Sequence, residues 1–118
     1  MPAGRGGTGP GVALLLDEWG VWDRMTGEEQ TQYGQLWQQS TMRSAVAAGL
    51  GLNIFNRQAD KLYMCNIAQI VNVLQSLLLT DGPTGQNCVK TPTCHAFALF
   101  ELHRSKTAVE EAAMRNGG

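Results

Sequence analysis

The stretch that most constrains this chain is GVALLLDEWGVWDR, Gly11 to Arg24. Val12, Ala13, Leu14, Leu15 and Leu16 are all apolar, with no alternation that would turn one face to water. Short continuous apolar runs fit a strand buried on both faces, as in parallel sheets covered by helices. Asp17 and Glu18 follow at once, and Trp19 and Trp22 come next. Paired carboxylates are costly to desolvate, so an acidic pair at a strand end asks for an explanation. In parallel α/β folds the carboxyl ends of the strands carry the chemistry. Carboxylate beside indole also suits a sugar ring, whose C–H groups favour an apolar wall.

At 118 residues the chain is at most one domain by length. Hydrophobic residues make up 43% and charged residues 16%, a globular rather than a disordered composition. The formal net charge of −1 offers no clustered basic surface, so neither nucleic acid nor a membrane is an expected partner. No apolar stretch approaches the roughly 18 residues of a spanning helix. The opening MPAGRGGTGP has no apolar h-region, which makes cytoplasmic the default location. Cys65, Cys88 and Cys94 are an odd count and leave no complete intrachain disulfide set. Cys65 lies in an apolar segment and reads as a buried core thiol. Cys88, Cys94, His95 and His103 match no standard zinc spacing, so no metal and no cofactor are expected.

Along the chain, residues 1–10 read as a loose tail and 12–16 as the first strand. Trp22 to Gln39 is polar without a clean period and reads as a long loop, a kind that is often functional. Ser40 or Thr41 caps a helix to about Asn56. Gly49 and Gly51 each weaken that helix by about 1 kcal/mol relative to alanine, so tertiary packing must hold it. Arg57 to Lys61 reads as a polar turn, Leu62 to Ala68 as the second strand, and Val71 to Leu79 as a short irregular helix. Thr80 to Pro83 reads as a turn. Thr91 and Pro92 form an N-cap and N1 pair opening a helix through about His103, with Phe97 and Phe100 on its core face. The segment from Thr107 to Met114 favours helix by composition. The order of strand, helix, strand, helix is the α/β repeat, and two strands make only a slice of a larger fold.

Four segments occur together and in order: DEWGVW at Asp17–Trp22, LNIFNRQAD at Leu52–Asp60, MCNIAQIVNVLQSLLLTDG at Met64–Gly82 and KTPTCHAFALFELH at Lys90–His103. Over roughly Val12 to His103 this arrangement closely resembles the late catalytic-domain region of α-L-arabinofuranosidases of glycoside hydrolase family 51. The resemblance implies a (β/α)8 barrel, here its last two βα units over residues 11–105, without the β-sandwich that follows it and with a tail at 106–118. It implies hydrolysis of terminal non-reducing α-L-arabinofuranosyl groups in arabinan- or arabinoxylan-type polysaccharides, with retention through a covalent intermediate. Glu18 matches the nucleophile, with Asp17 supporting it. Trp22 matches a tryptophan lining the arabinose subsite, Gln69 a glutamine that hydrogen-bonds the sugar, and Asn72 a supporting partner. Family members are often multimeric, so a parent enzyme is expected to be a homo-oligomer.

The departures bear on activity. A retaining pair needs two carboxyl groups about 5–5.5 Å apart, one ionised and one protonated. The acid/base glutamate of this family lies ahead of everything in this chain, and Glu28, Glu29 and Glu101 fall outside any such motif. The isolated chain is therefore expected to be inactive. Ser44 stands where the family usually has aspartate, and Cys94 where it has tyrosine. The alternative reading is a non-catalytic, truncated or split barrel piece that associates with a complementary fragment. A stand-alone sugar-binding module is disfavoured, because one tryptophan and one amide make a poor site.

Overall fold

Apolar residues with an aromatic in each segment, at 14–19 and 62–67, give two strands that run the same way. The computed structural model describes residues 12–34, 36–81 and 84–103. Its elements are β1 (Leu14–Trp19), α1 (Gly27–Tyr33), α2 (Met42–Arg57), β2 (Leu62–Ile67), β3 (Leu78–Asp81), β4 (Asn87–Lys90), α3 (Pro92–Phe100) and a 3-10 turn at Glu101–His103. β1 and β2 pair in parallel, while β3 and β4 form a separate antiparallel hairpin. Parallel strands need a long crossover, and α2 lies within it.

Both long helices meet Trp19. Its ring lies edge-on to Phe55 of α2 at 4.9 Å and stacks on Phe97 of α3 at 5.9 Å. α2 and α3 also pack on each other. Gly51 is what lets α2 come this close: a Cβ there would stand 3.1 Å from the Trp19 ring. At Gly49 a Cβ would meet Phe100 at an ordinary 3.8 Å. Gly49→Ala is thus expected to stabilise the chain by about 1 kcal/mol through helix propensity alone. Gly51→Ala is expected to give less or to destabilise, because Trp19 must move. Urea midpoints of the two variants check the ordering.

Two helix starts fall where the sequence places them. Thr91 accepts a hydrogen bond from the Cys94 N–H at 3.2 Å, with Pro92 at the first helical position. Its hydroxyl also donates to the Ser76 carbonyl at 2.7 Å, which ties α3 to the preceding segment. Thr41 takes the N-cap position of α2 without a side-chain capping bond.

Several expectations are corrected. The Trp22–Gln39 region is not all loop, because Thr26 and Glu29 form a reciprocal capping box that nucleates α1. Val71–Leu79 is not a helix. Asn72 and Leu74 take positive φ angles of 57° and 53°, which break any right-handed run. Their backbone groups bond outward instead, Asn72 N–H to Leu78 O and Leu74 N–H to Leu36 O. The predicted turn at Thr80–Pro83 begins too early: Thr80 and Asp81 belong to β3, and residues 82–83 lie outside the described residues. The β3–β4 hairpin that follows has no counterpart in the sequence reading. The first strand is shifted, so Asp17 and Glu18 lie within β1 rather than beyond it. Nor is β1 covered on both faces, since Leu15 and its cross-strand partner Met64 are 57% and 47% exposed. β1 and β2 form a two-stranded sheet, and no further strand covers their outer edges among the described residues. The tail readings at 1–10 and 106–118 lie outside the described residues.

Cys65 is only half-buried, which also departs from the reading of a core thiol. Burial still raises its thiol pKa above the ordinary value. A raised folded-state pKa means that the folded chain keeps this proton to higher pH than the unfolded chain. The associated stability is present below the ordinary thiol range and is lost as pH rises through the folded value. Cys88 is exposed. Iodoacetamide at pH 8 is therefore expected to alkylate Cys88 faster than Cys65, a difference that peptide mapping reads and that disappears in urea.

Candidate active site

The carboxyl ends of β1 and β2 lie side by side, joined where the Ala68 N–H donates to the Trp19 carbonyl at 2.9 Å. The register here is irregular. Leu16 pairs with Cys65 and Trp19 with Ile67, so Asp17 and Glu18 together face the single residue Asn66. Two residues opposing one is the signature of a bulge, a device that re-aims side chains and is common beside active sites. Leu16 and Trp19 are half-buried while Asp17 and Glu18 are both exposed. The acidic pair is thus presented to solvent at the strand end.

Gln69 emerges from the neighbouring strand end and is exposed, following a cis Ala68–Gln69 peptide. Glu18 and Gln69 therefore belong to the same end of the same strand pair. Trp22 lies on the connection after β1 with 67% of its surface exposed. Asn72 is occupied in another way: its amide donates to Thr80 Oγ1 at 2.8 Å and accepts from the Thr80 N–H at 2.7 Å. That pair of bonds fixes the start of the β3–β4 hairpin rather than reaching Glu18.

Two buried amides that the sequence reading passed over hold this end together. Gln75 is 1% exposed, and its Nε2 donates to the Ala68 carbonyl, directly before Gln69. It also lies where a Cβ on Gly20 would stand, so the strand ends close only with glycine at that position. Gln38 is buried as well; its Nε2 donates to Val21 O at 3.0 Å and its Oε1 accepts from the Asp23 N–H at 2.9 Å. These two bonds flank Trp22. Asp23 in turn pairs with Arg43 of α2 at 2.7 Å. The available signal was Gln75 as a polar residue inside VNVLQSLLL: a buried amide must find partners, so its place in an apolar run marks a structural contact.

Among the described residues, no three His, Cys, Asp or Glu side chains converge as metal ligands. No helix there is long and apolar enough to cross a membrane.

Comparison with known proteins places the chain in a family. Residues 17–115 match the family model of the α-L-arabinofuranosidase C-terminal domain. An intracellular exo-α-L-arabinofuranosidase of Bacteroides ovatus is 47% identical over 96 residues, covering 81% of this chain and 18% of that protein. A probable α-L-arabinofuranosidase C of Aspergillus terreus is 39% identical over 74 residues, 62% of this chain and 14% of that protein. The crystal structure of the GH51 arabinofuranosidase from Xanthomonas axonopodis pv. citri superimposes with a TM-score of 0.63 at 47% identity, over 75% of this chain and 17% of that one. The chain thus spans less than a fifth of the length of these relatives. On these matches the chain belongs to the α-L-arabinofuranosidase family and corresponds to a segment of such an enzyme.

Proposed function

We propose that this segment carries the nucleophile half of a retaining α-L-arabinofuranosidase site, within the last two βα units of a (β/α)8 barrel spanning residues 11–105. The observation that carries the reading is the bulge, which brings two exposed carboxylates to the strand end where Gln69 emerges. Glu18 attacks the anomeric carbon of a terminal non-reducing α-L-arabinofuranosyl group. The glycosidic C–O bond breaks, and the departing oxygen takes a proton from a second carboxyl group supplied by the remainder of the enzyme. Water then attacks the arabinosyl ester, the second group now acting as base, and Glu18 leaves as carboxylate. Asp17, beside it, holds the local charge and hydrogen-bond network. Trp22 walls the furanose ring, and Gln69 offers its hydroxyls a donor and an acceptor. Asn72 supports the site indirectly, by fixing the segment after Gln69. The substrates are arabinofuranosyl-bearing oligo- or polysaccharides, and the whole enzyme works as a cytoplasmic homo-oligomer.

The isolated chain is inactive on this reading, because it lacks the acid/base carboxyl group. The test is a graft: the matching segment of the Bacteroides ovatus relative is replaced by residues 17–103, and Glu18→Gln is made in that background. Full activity of the variant would sink the assignment. A second reading, a non-catalytic piece that docks to a complementary barrel fragment, is favoured by one observation. The paired residues Leu15 and Met64 leave apolar surface open, which unassisted strands rarely tolerate. A compact monomer in sedimentation velocity would count against it.

A further inference from the structure

The connection after β1 leaves the sheet but keeps the alternation of a strand. Val21, Asp23 and Met25 are half-buried, whereas Trp22 and Arg24 between them are exposed. Among the described residues no strand pairs with this segment. The bonds that a neighbouring strand would supply come instead from one side chain. Gln38 Nε2 donates to the Val21 carbonyl at 3.0 Å, and Gln38 Oε1 accepts from the Asp23 N–H at 2.9 Å. In a parallel ladder a residue donates to the carbonyl before its partner and accepts from the N–H after it. A carboxamide carries the same donor and acceptor on one fork. Gln38, 5% exposed, thus grips the chain on both sides of Trp22 as a parallel strand would.

We propose that Gln38 is the positioning residue for Trp22: it fixes the backbone from which the indole stands out, and so sets the wall that meets the sugar. The inference rests on the role proposed above for Trp22 and adds what holds that residue in place. The Trp22 side chain lies on an exposed position, with 67% of the residue open to solvent, so its own backbone largely sets where the ring stands.

Gln38 is itself held on both sides. Before it, Trp37 stacks on Tyr33, with ring centroids 4.4 Å apart and planes 24° apart. The Leu36 carbonyl there accepts from the Leu74 N–H at 2.9 Å. After it, Thr41 takes the N-cap position of α2. The grip on Trp22 is therefore built in advance, and binding orders little backbone. A second tie reaches the same connection: Asp23 pairs with Arg43 of α2 at 2.7 Å, but the Arg43 side chain is 71% exposed. Ion pairs with so exposed a partner contribute little. Loss of the Gln38 amide, by contrast, strands a carbonyl and an N–H on residues that are half-buried. Comparison of the two assigns the hold to Gln38.

The experiment has two arms, each on Gln38→Met, which keeps the length of the side chain and removes both bonds. In the full 118-residue chain, the heteronuclear NOE of the Trp22 indole N–H is expected to fall. That of Trp19, packed between Phe55 and Phe97, should stay unchanged. In the grafted enzyme, KM for an aryl α-L-arabinofuranoside is expected to rise about fivefold, the scale of a net hydrogen bond or two. Turnover should change less, because a loosened wall weakens ground-state and transition-state contacts alike. Arg43→Ala should leave both readouts unchanged. In a Trp22→Ala background Gln38→Met should add nothing to KM, because its target is gone. Circular dichroism verifies folding, and Gln38→Asn, with its amide one methylene short, reads the same quantities should the methionine variant fail. An unchanged Trp22 signal overturns the inference. So does an unchanged KM where Trp22→Ala raises it, or an undiminished Gln38→Met effect without Trp22. A loosened Trp22 together with an unaltered KM in Trp22→Ala defeats the sugar-wall reading of Trp22 and supports the hold of Gln38 upon it.

Discussion

Glu18→Gln in the grafted enzyme is expected to lower turnover of an aryl α-L-arabinofuranoside on the order of 10⁴-fold or more, the scale of losing a covalent nucleophile. The substitution keeps shape and volume but removes the negative charge that attacks the anomeric carbon. The 118-residue chain by itself is expected to give no turnover, with or without Glu18. Chemical rescue separates a nucleophile from a carboxylate that only supports the fold. In Glu18→Ala, added azide enters the vacated space and restores turnover, releasing a glycosyl azide of inverted anomeric configuration. Loss of activity without rescue, alongside a shifted thermal midpoint, would instead make Glu18 structural. Asp17→Asn is expected to reduce the rate less, because Asp17 acts through Glu18.

Gly20→Ala is expected to carry the largest stability effect in the chain. The added methyl would overlap the Gln75 carboxamide, which is 1% exposed and has no space to retreat. Overpacking of this kind costs about 1–3 kcal/mol. Displacing Gln75 also breaks its bond to the Ala68 carbonyl, leaving a buried acceptor unsatisfied at about 1–3 kcal/mol more. Urea denaturation of the full chain measures the sum. The double variant Gly20→Ala with Gln75→Ala should recover part of the loss, because contacting residues are not additive. Strict additivity would mean that Gly20 and Gln75 are not in contact in solution. The effect belongs at the site as well, because Gln75 holds the residue preceding Gln69.

The parts legible in the sequence share a local cause. Thr91–Pro92 announces a helix start, because a hydroxyl acceptor and a residue without an N–H satisfy the first turn by themselves. The helix from Thr41 and the strand at Leu62 were readable for similar reasons, within a residue or two. Thr26 with Glu29 carried an equally local signal, a capping box, which the polar composition around it obscured. Val71–Leu79 was not readable. Its apolar run fits helix or strand alike, and its path is fixed by Leu36 and by the Asn72–Thr80 bonds. The exposure of Leu15 and Met64 was equally out of reach, because a continuous apolar run states what a strand needs and not what covers it.

At the site the division is sharper. Sequence alone carried the resemblance: DEWGVW supplies carboxylates and indoles, NIAQIVN an amide and TPTCH a capped helix start, in an order that the family match over residues 17–115 bears out at the level of the family. Only the tertiary structure decided that Asp17 and Glu18 share one opposing residue, that Gln75 needs Gly20, and that Trp37 folds onto Tyr33 beside Asn72. The physical reason is range. Side-chain chemistry is carried by each residue wherever it lies, whereas register, close approach and ring stacking are relations between residues distant in the chain. Those relations exist only once the strands have paired and the connections have been latched.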